Sequence, residues 1–129
     1  MPLTRITLPQ NSSESHIAAL SEILHRTLVE TFDVPEQDRF QIFERLPASQ
    51  RVYDRHYLSG SRSDNFTLFM LFAGKPRSTA QKAAFCHQLV QRLEQQLAIH
   101  PDDVMVVIQF NTLSDWSFSQ GQLCDREAK

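Results

Sequence analysis

Glycine, cysteine and long apolar runs are scarce in this sequence, and each scarcity removes a class of protein. Three glycines in 129 residues leave no low-complexity or collagen-like tract and no glycine-rich phosphate loop. The stretch Gly74-Lys75-Pro76-Arg77-Ser78 is only superficially like one, since it lacks the upstream glycine and Pro76 removes a backbone N–H. Two cysteines, Cys86 and Cys124, make no disulfide framework and read as free thiols in a reducing compartment. The longest apolar run, Phe66 to Ala73, is broken by Thr67 and falls far short of the roughly 20 residues of a helical membrane span. Met1-Pro2-Leu3-Thr4-Arg5 lacks the apolar stretch of a secretory signal, so a cytoplasmic location is the expectation. The sequons Asn11-Ser12-Ser13 and Asn65-Phe66-Thr67 are then read as chance matches. A formal charge of −2 offers no attraction to nucleic acid or to an anionic membrane. His16, His25, His56, His87 and His100 show no metal-ligand spacing with one another or with the cysteines, and neither metal nor cofactor is expected.

What is present is periodicity, and it occurs twice. Leu3 to Leu8 reads as a strand, and Asn11 with Glu14 three residues on reads as a helix start. Ile17, Leu20, Leu24, Leu28 and Phe32 then recur at helical spacing, Pro35 stops the helix, and Phe40 to Phe43 is a second strand. The second half repeats the order. Asn65 to Ala73 reads as a strand buried on both faces, and Ser78 with Gln81 as a capping box. Phe85, Leu89, Leu93 and Leu97 mark the next helix, Pro101 closes it, and Val104 to Phe110 is the last long strand. Val34-Pro35-Glu36-Gln37-Asp38 and Ile99-His100-Pro101-Asp102-Asp103 precede corresponding strands, which suggests internal duplication. The expectation is one α+β domain over residues 1–129: two β-α-β units forming a four-stranded sheet with two helices on one face. The 46–64 segment is either a long loop or a hairpin. The sheet face opposite the helices needs cover, which predicts an oligomer.

Chemistry has few places to reside. Loss of Met1 would leave Pro2 as a secondary amine at a strand end, and burial or nearby cations would make it a base near neutral pH. Many chains begin Met-Pro to no such purpose. Lys75 and Arg77 stand at a helix start and suit a carboxylate-bearing ligand, or form a solvated turn. Asp38, at a strand entrance, is either a catalytic carboxylate or a turn residue. Trp116, the only tryptophan, lies with Phe118 after the last strand, as a pocket wall or an interface.

Taken in order, Pro2, Val34-Pro35 with Asp38-Arg39-Phe40, Pro76-Arg77-Ser78 with Gln81-Lys82, Pro101-Asp102-Asp103-Val104 and Asp115-Trp116-Ser117-Phe118 resemble the malonate semialdehyde decarboxylase-like group of the tautomerase superfamily. The resemblance runs from Pro2 to about Phe118. It implies a homotrimer with sites between subunits and a Pro2 amine acting as base or as protonated acid. It further implies that Arg77 holds the substrate's carboxylate or carbonyl oxygen, that Asp38 serves decarboxylation and hydration, and that Trp116 and Phe118 wall the pocket. Lys75 stands where the decarboxylase has arginine, so a planar fork becomes a point charge. The charged end, Asp125 to Lys129, lacks the apolar close of that group. The resemblance therefore implies an enzyme: a keto–enol tautomerase of a small 2-oxo acid, or a decarboxylase of a 3-oxo acid at the same site. A non-enzymatic, ferredoxin-like small-molecule module has the same element order and needs no free Pro2.

Overall fold

The computed structural model describes residues 1–125, so most of the charged end, 126–129, lies outside the described residues. Its main elements are β1 (Pro2–Pro9), α1 (Glu14–Phe32), β2 (Phe40–Leu46), β3 (Thr67–Ala73), α2 (Thr79–Leu97) and β4 (Val104–Phe110). The strands form one mixed sheet in the order β2-β1-β3-β4. β1 runs parallel to β2 and β3 parallel to β4, while β1 and β3 meet antiparallel. Each β-α-β unit therefore joins neighbouring strands, and the two units share the central seam. A ferredoxin-like chain splits its β-α-β units with an intervening strand; this one does not, so its topology is not ferredoxin-like.

Local chemistry explains the boundaries. Ser13, not Asn11, caps α1, its hydroxyl accepting from His16 N–H at 3.0 Å. α2 carries the expected Ser78–Gln81 capping box. Neither helix is stopped by proline. Asp33 (φ 56°) and Ala98 (φ 55°) turn left-handed directly after the last helical residues, a common helix-ending conformation. Pro35 and Pro101 lie in the turns beyond. β2 extends past Phe43 to Leu46, and β3 starts at Thr67 rather than Asn65.

The core lies between sheet and helices, where Ile6, Leu8, Phe69 and Leu71 meet Leu24 and Leu89. β3 alternates instead of being buried on both faces: Phe69 and Leu71 are in the core, while Leu68, Met70 and Phe72 are half-buried on the opposite side. That side also presents Phe40, Ile42, Met105 and Val107, all exposed by more than two-fifths. The 46–64 segment is a folded loop with one short turn, not a hairpin. Tyr53 stacks on Phe66 at 4.4 Å and Arg51 lies over both rings. Ser63 N–H and hydroxyl bind the buried Asp103 carboxylate, each at 2.6 Å.

Candidate active site

The site is built where β1 begins and β3 ends. Pro2 is buried and pairs with Ala73 across the antiparallel seam. The ladder continues one residue outward, with Gly74 N–H donating to the Met1 carbonyl at 3.2 Å. This places the N-terminal nitrogen over the turn that leads into β2, 3.0 Å from Asp38 Oδ2. The Asp38 side chain is 12% exposed, and its Oδ1 is buried with no hydrogen-bond partner. A buried carboxylate oxygen without a donor is costly, and only the other oxygen of this carboxylate is paired, with the N-terminal nitrogen. With Met1 attached, Pro2 N is an amide nitrogen and has no lone pair for proton transfer.

Around Met1 the other walls close in. A Cβ on Gly74 would lie 2.7 Å from Trp116 Nε1 and 2.8 Å from Met1 Cε; glycine lets the indole and the methionine methyl approach the backbone closely. Trp116 is held by Nε1–H donation to Asn111 Oδ1 at 2.6 Å, and Asn111 N–H is itself bound to Ala73 O at 2.9 Å. Phe118 stacks on Trp116 (5.5 Å) and packs against Phe40 (5.7 Å). Cys124 N–H donates to Trp116 O at 2.8 Å, and its thiol lies 3.8 Å from Met1 Sδ. Met1 thus occupies a slot bounded by Asp38, Gly74, Trp116 and Cys124.

Lys75 follows Gly74 and is exposed. Arg77 is half-buried over the Phe32 ring at 5.2 Å. Its Nε and Nη2 donate to Phe32 O (3.3 and 2.9 Å), and its Nη1 to Lys75 O. The guanidinium thereby satisfies a C-terminal carbonyl of α1. The turn bearing Asp38 is gripped by three α1 side chains. His25, 1% exposed, donates from Nε2 to Glu36 O at 2.7 Å. Arg26 binds the Glu36 carboxylate through two bonds, and Glu22 accepts from Arg39. Hydrogen bonds from Arg26 and Arg39 hold the Glu36 and Glu22 carboxyls, respectively, below the ordinary range.

Of the residues singled out in the sequence, Pro2, Asp38 and Trp116 converge at this end of β1, with Phe118 stacked behind. Lys75 and Arg77 flank the same β3–α2 turn. Sequence reasoning gave Gly74, Cys124 and Phe40 no part in the site. Gly74 had one signal, being one of only three glycines; Cys124 had none. No group of three or more His, Cys, Asp or Glu positioned to hold a metal occurs among the described residues, and none of their helices is long and apolar enough to cross a membrane.

The fold belongs to a known class: residues 38–119 match the family described as Tautomerase enzyme, and the chain is a member of the tautomerase superfamily. It is 31% identical to probable tautomerase YusQ of Bacillus subtilis (strain 168) over 122 residues, 95% of this chain and 96% of that one. Among solved structures it is similar to malonate semialdehyde decarboxylase, with a TM-score of 0.86 and 32% identity over 93% of this chain and 92% of that one. A wild-type fused 4-OT, described as a symmetric trimer, shares the fold at a TM-score of 0.76 and 20% identity, covering 94% of both chains.

Proposed function

We propose that the chain, once Met1 is removed, is a keto–enol tautomerase of a small 2-oxo acid that acts through the Pro2 amine. The observation that carries the reading is the Asp38 carboxylate, mostly buried and 3.0 Å from the nitrogen of Met1, one residue outward from Pro2. In the enol-to-keto direction Pro2 takes the enol proton and returns one to carbon 3. Lys75 and Arg77 bind the substrate carboxylate, and Trp116 and Phe118 enclose its remainder. The exposed apolar sheet face favours a homotrimer, the assembly described for the fused 4-OT relative.

A second reading at the same site is decarboxylation of a 3-oxo acid, favoured by the likeness to malonate semialdehyde decarboxylase. It needs protonated Pro2, and a carboxylate beside an amine favours the charged form while burial opposes it. Asp38→Asn separates the two. Under the tautomerase reading the processed Asn variant keeps most of its kcat/KM on an aryl enol pyruvate. Under the decarboxylase reading, turnover of a 3-oxo acid falls on the order of 100-fold. Collapse of enol turnover in a variant with native circular dichroism would refute the first reading.

A further inference from the structure

We propose that the space vacated by the Met1 side chain is a slot for an unbranched apolar chain on carbon 3 of the 2-oxo acid, and that Cys124 sets which chains it admits. This rests on the Pro2-centred reading above and deepens it. Proton transfer needs carbon 3 about 3 Å from Pro2 N. Met1 Cα lies two bonds from that nitrogen, roughly 2.4 Å away, so carbon 3 comes to rest close to where Met1 Cα stood. Two arms leave that point. The amino arm ends on the Asp38 carboxylate at 3.0 Å. The side-chain arm passes Cys124, whose thiol lies 3.8 Å from Met1 Sδ, and its methyl ends on Gly74 beside the Trp116 indole.

The walls decide what enters each arm. Gly74, Trp116 and Cys124 bring no cation, and a substrate carboxylate buried among them without a partner is costly. The amino arm repels a carboxylate through Asp38. An apolar chain suits the side-chain arm, where each methylene leaves water for thiol, indole and backbone. The breadth of the slot is fixed by the indole, which is held by Nε1–H donation to Asn111 Oδ1 at 2.6 Å and by the Phe118 ring stacked on it at 5.5 Å. Met1 occupies that breadth as an unbranched chain. Cys124 belongs to the same frame, since its N–H is bound to Trp116 O at 2.8 Å. Its thiol therefore stands at a fixed place beside the third atom of the chain, and a larger side chain there would close the slot at that atom.

Deuterium exchange at carbon 3, followed by proton NMR in heavy water, reads the reaction across a series of acids. Pro2 N takes the proton, solvent deuterium replaces it on nitrogen, and a deuteron returns to carbon, with no electrons gained or lost. With the processed protein, kcat/KM for exchange should rise about fourfold per methylene from 2-oxobutanoate to 2-oxoheptanoate. It should fall for 2-oxodecanoate, which overruns Gly74, and 4,4-dimethyl-2-oxopentanoate should trail 2-oxopentanoate despite its extra carbons. A flat or falling profile with pyruvate still exchanged would overturn the proposal and spare the Pro2-centred reading. If no acid, pyruvate included, exchanges faster than with Met1-retained protein, both fall. Cys124→Leu should cut the ratio of kcat/KM on 2-oxoheptanoate to that on 2-oxobutanoate by about tenfold or more. That ratio does not depend on how much of the variant is folded, and an unchanged ratio also overturns the proposal.

Discussion

The two β-α-β units open onto opposite ends of the sheet, and their entrances use the same parts to different effect. Leu3 pairs with Phe40 in the first unit as Thr67 pairs with Val104 in the second. The turn before β2 is closed by Asp38 N–H on Pro35 O (3.0 Å), and that before β4 by Asp103 N–H on His100 O (2.9 Å). In the first unit the chain begins, so Asp38 faces an amine. In the second the chain arrives through the 46–64 segment, and Asp103 and Asp102 are met by backbone N–H groups of Ser63 and Ser61. The loops that follow β1 and β3 differ too: Asn11 and Ser12 are neutral where Lys75 and Arg77 are cationic. A cavity of about 620 Å³, lined in part by Ser12, Ser61 and Asp102, marks the second entrance. A carboxylate thus stands at the turn before each second strand, while the chain terminus meets only one of them.

The largest effect should come from making the first end resemble the second. Met1-retained protein, isolated from cells with methionine aminopeptidase inhibited, should lose roughly 10²–10⁴-fold in kcat on an aryl enol pyruvate. Mass spectrometry verifies the terminus, and equal activity of the two forms would remove Pro2 from the chemistry. Arg77→Ala should come next, lowering kcat/KM by the equivalent of about 2–5 kcal/mol if the guanidinium meets a buried carboxylate. It should also lower Tm, since Phe32 O loses its donor. A fall in Tm alone would leave Arg77 as the clasp of α1.

Asp103→Ala tests the second end. Two hydrogen bonds to a buried carboxylate vanish, which should cost about 3 kcal/mol of stability. Urea unfolding measures it, and kcat of the folded fraction should stay within about twofold. A large kinetic loss at full stability would mean that the second cavity takes part in the reaction.

Legibility in the sequence followed distance along the chain. Val104–Phe110 and the Ser78–Gln81 box depend on neighbouring residues, and the structure has both as expected. Helix ends were misread because the left-handed positions are occupied by Asp33 and Ala98, where sequence rules look for Gly or Asn. β3 looked evenly buried because its outward residues are as apolar as its inward ones; composition cannot say which face meets a helix. The candidate site is assembled from positions 1, 38, 74, 116 and 124, joined by strand register and by packing against Gly74. No local pattern encodes such a meeting. Asp38 was reached through family resemblance, and Cys124 not at all.

The smallest expected effect concerns how the two turns are held. The second is tied to its own incoming loop, whereas the first is gripped from α1 by Arg26 on Glu36 and by Glu22 on Arg39. Glu36 is held below the ordinary carboxylate range, first by its hydrogen bond from Arg26. A depressed folded value means that the contribution is complete above the unfolded value of about 4.5 and disappears as pH falls through the folded one. Glu36→Gln should therefore lower Tm slightly at pH 7, and the gap should narrow as pH falls below about 4.5. Because the pair is exposed, added salt should shrink the gap as well. The same variant loosens the turn that carries Asp38, so KM should rise more than kcat falls. Asp103→Asn, whose carboxylate is buried, should show little salt dependence by comparison. A Tm gap unchanged from pH 7 to pH 3 would mean that Arg26 and Glu36 contribute packing rather than charge, and that His25 and the backbone alone hold Asp38 in place.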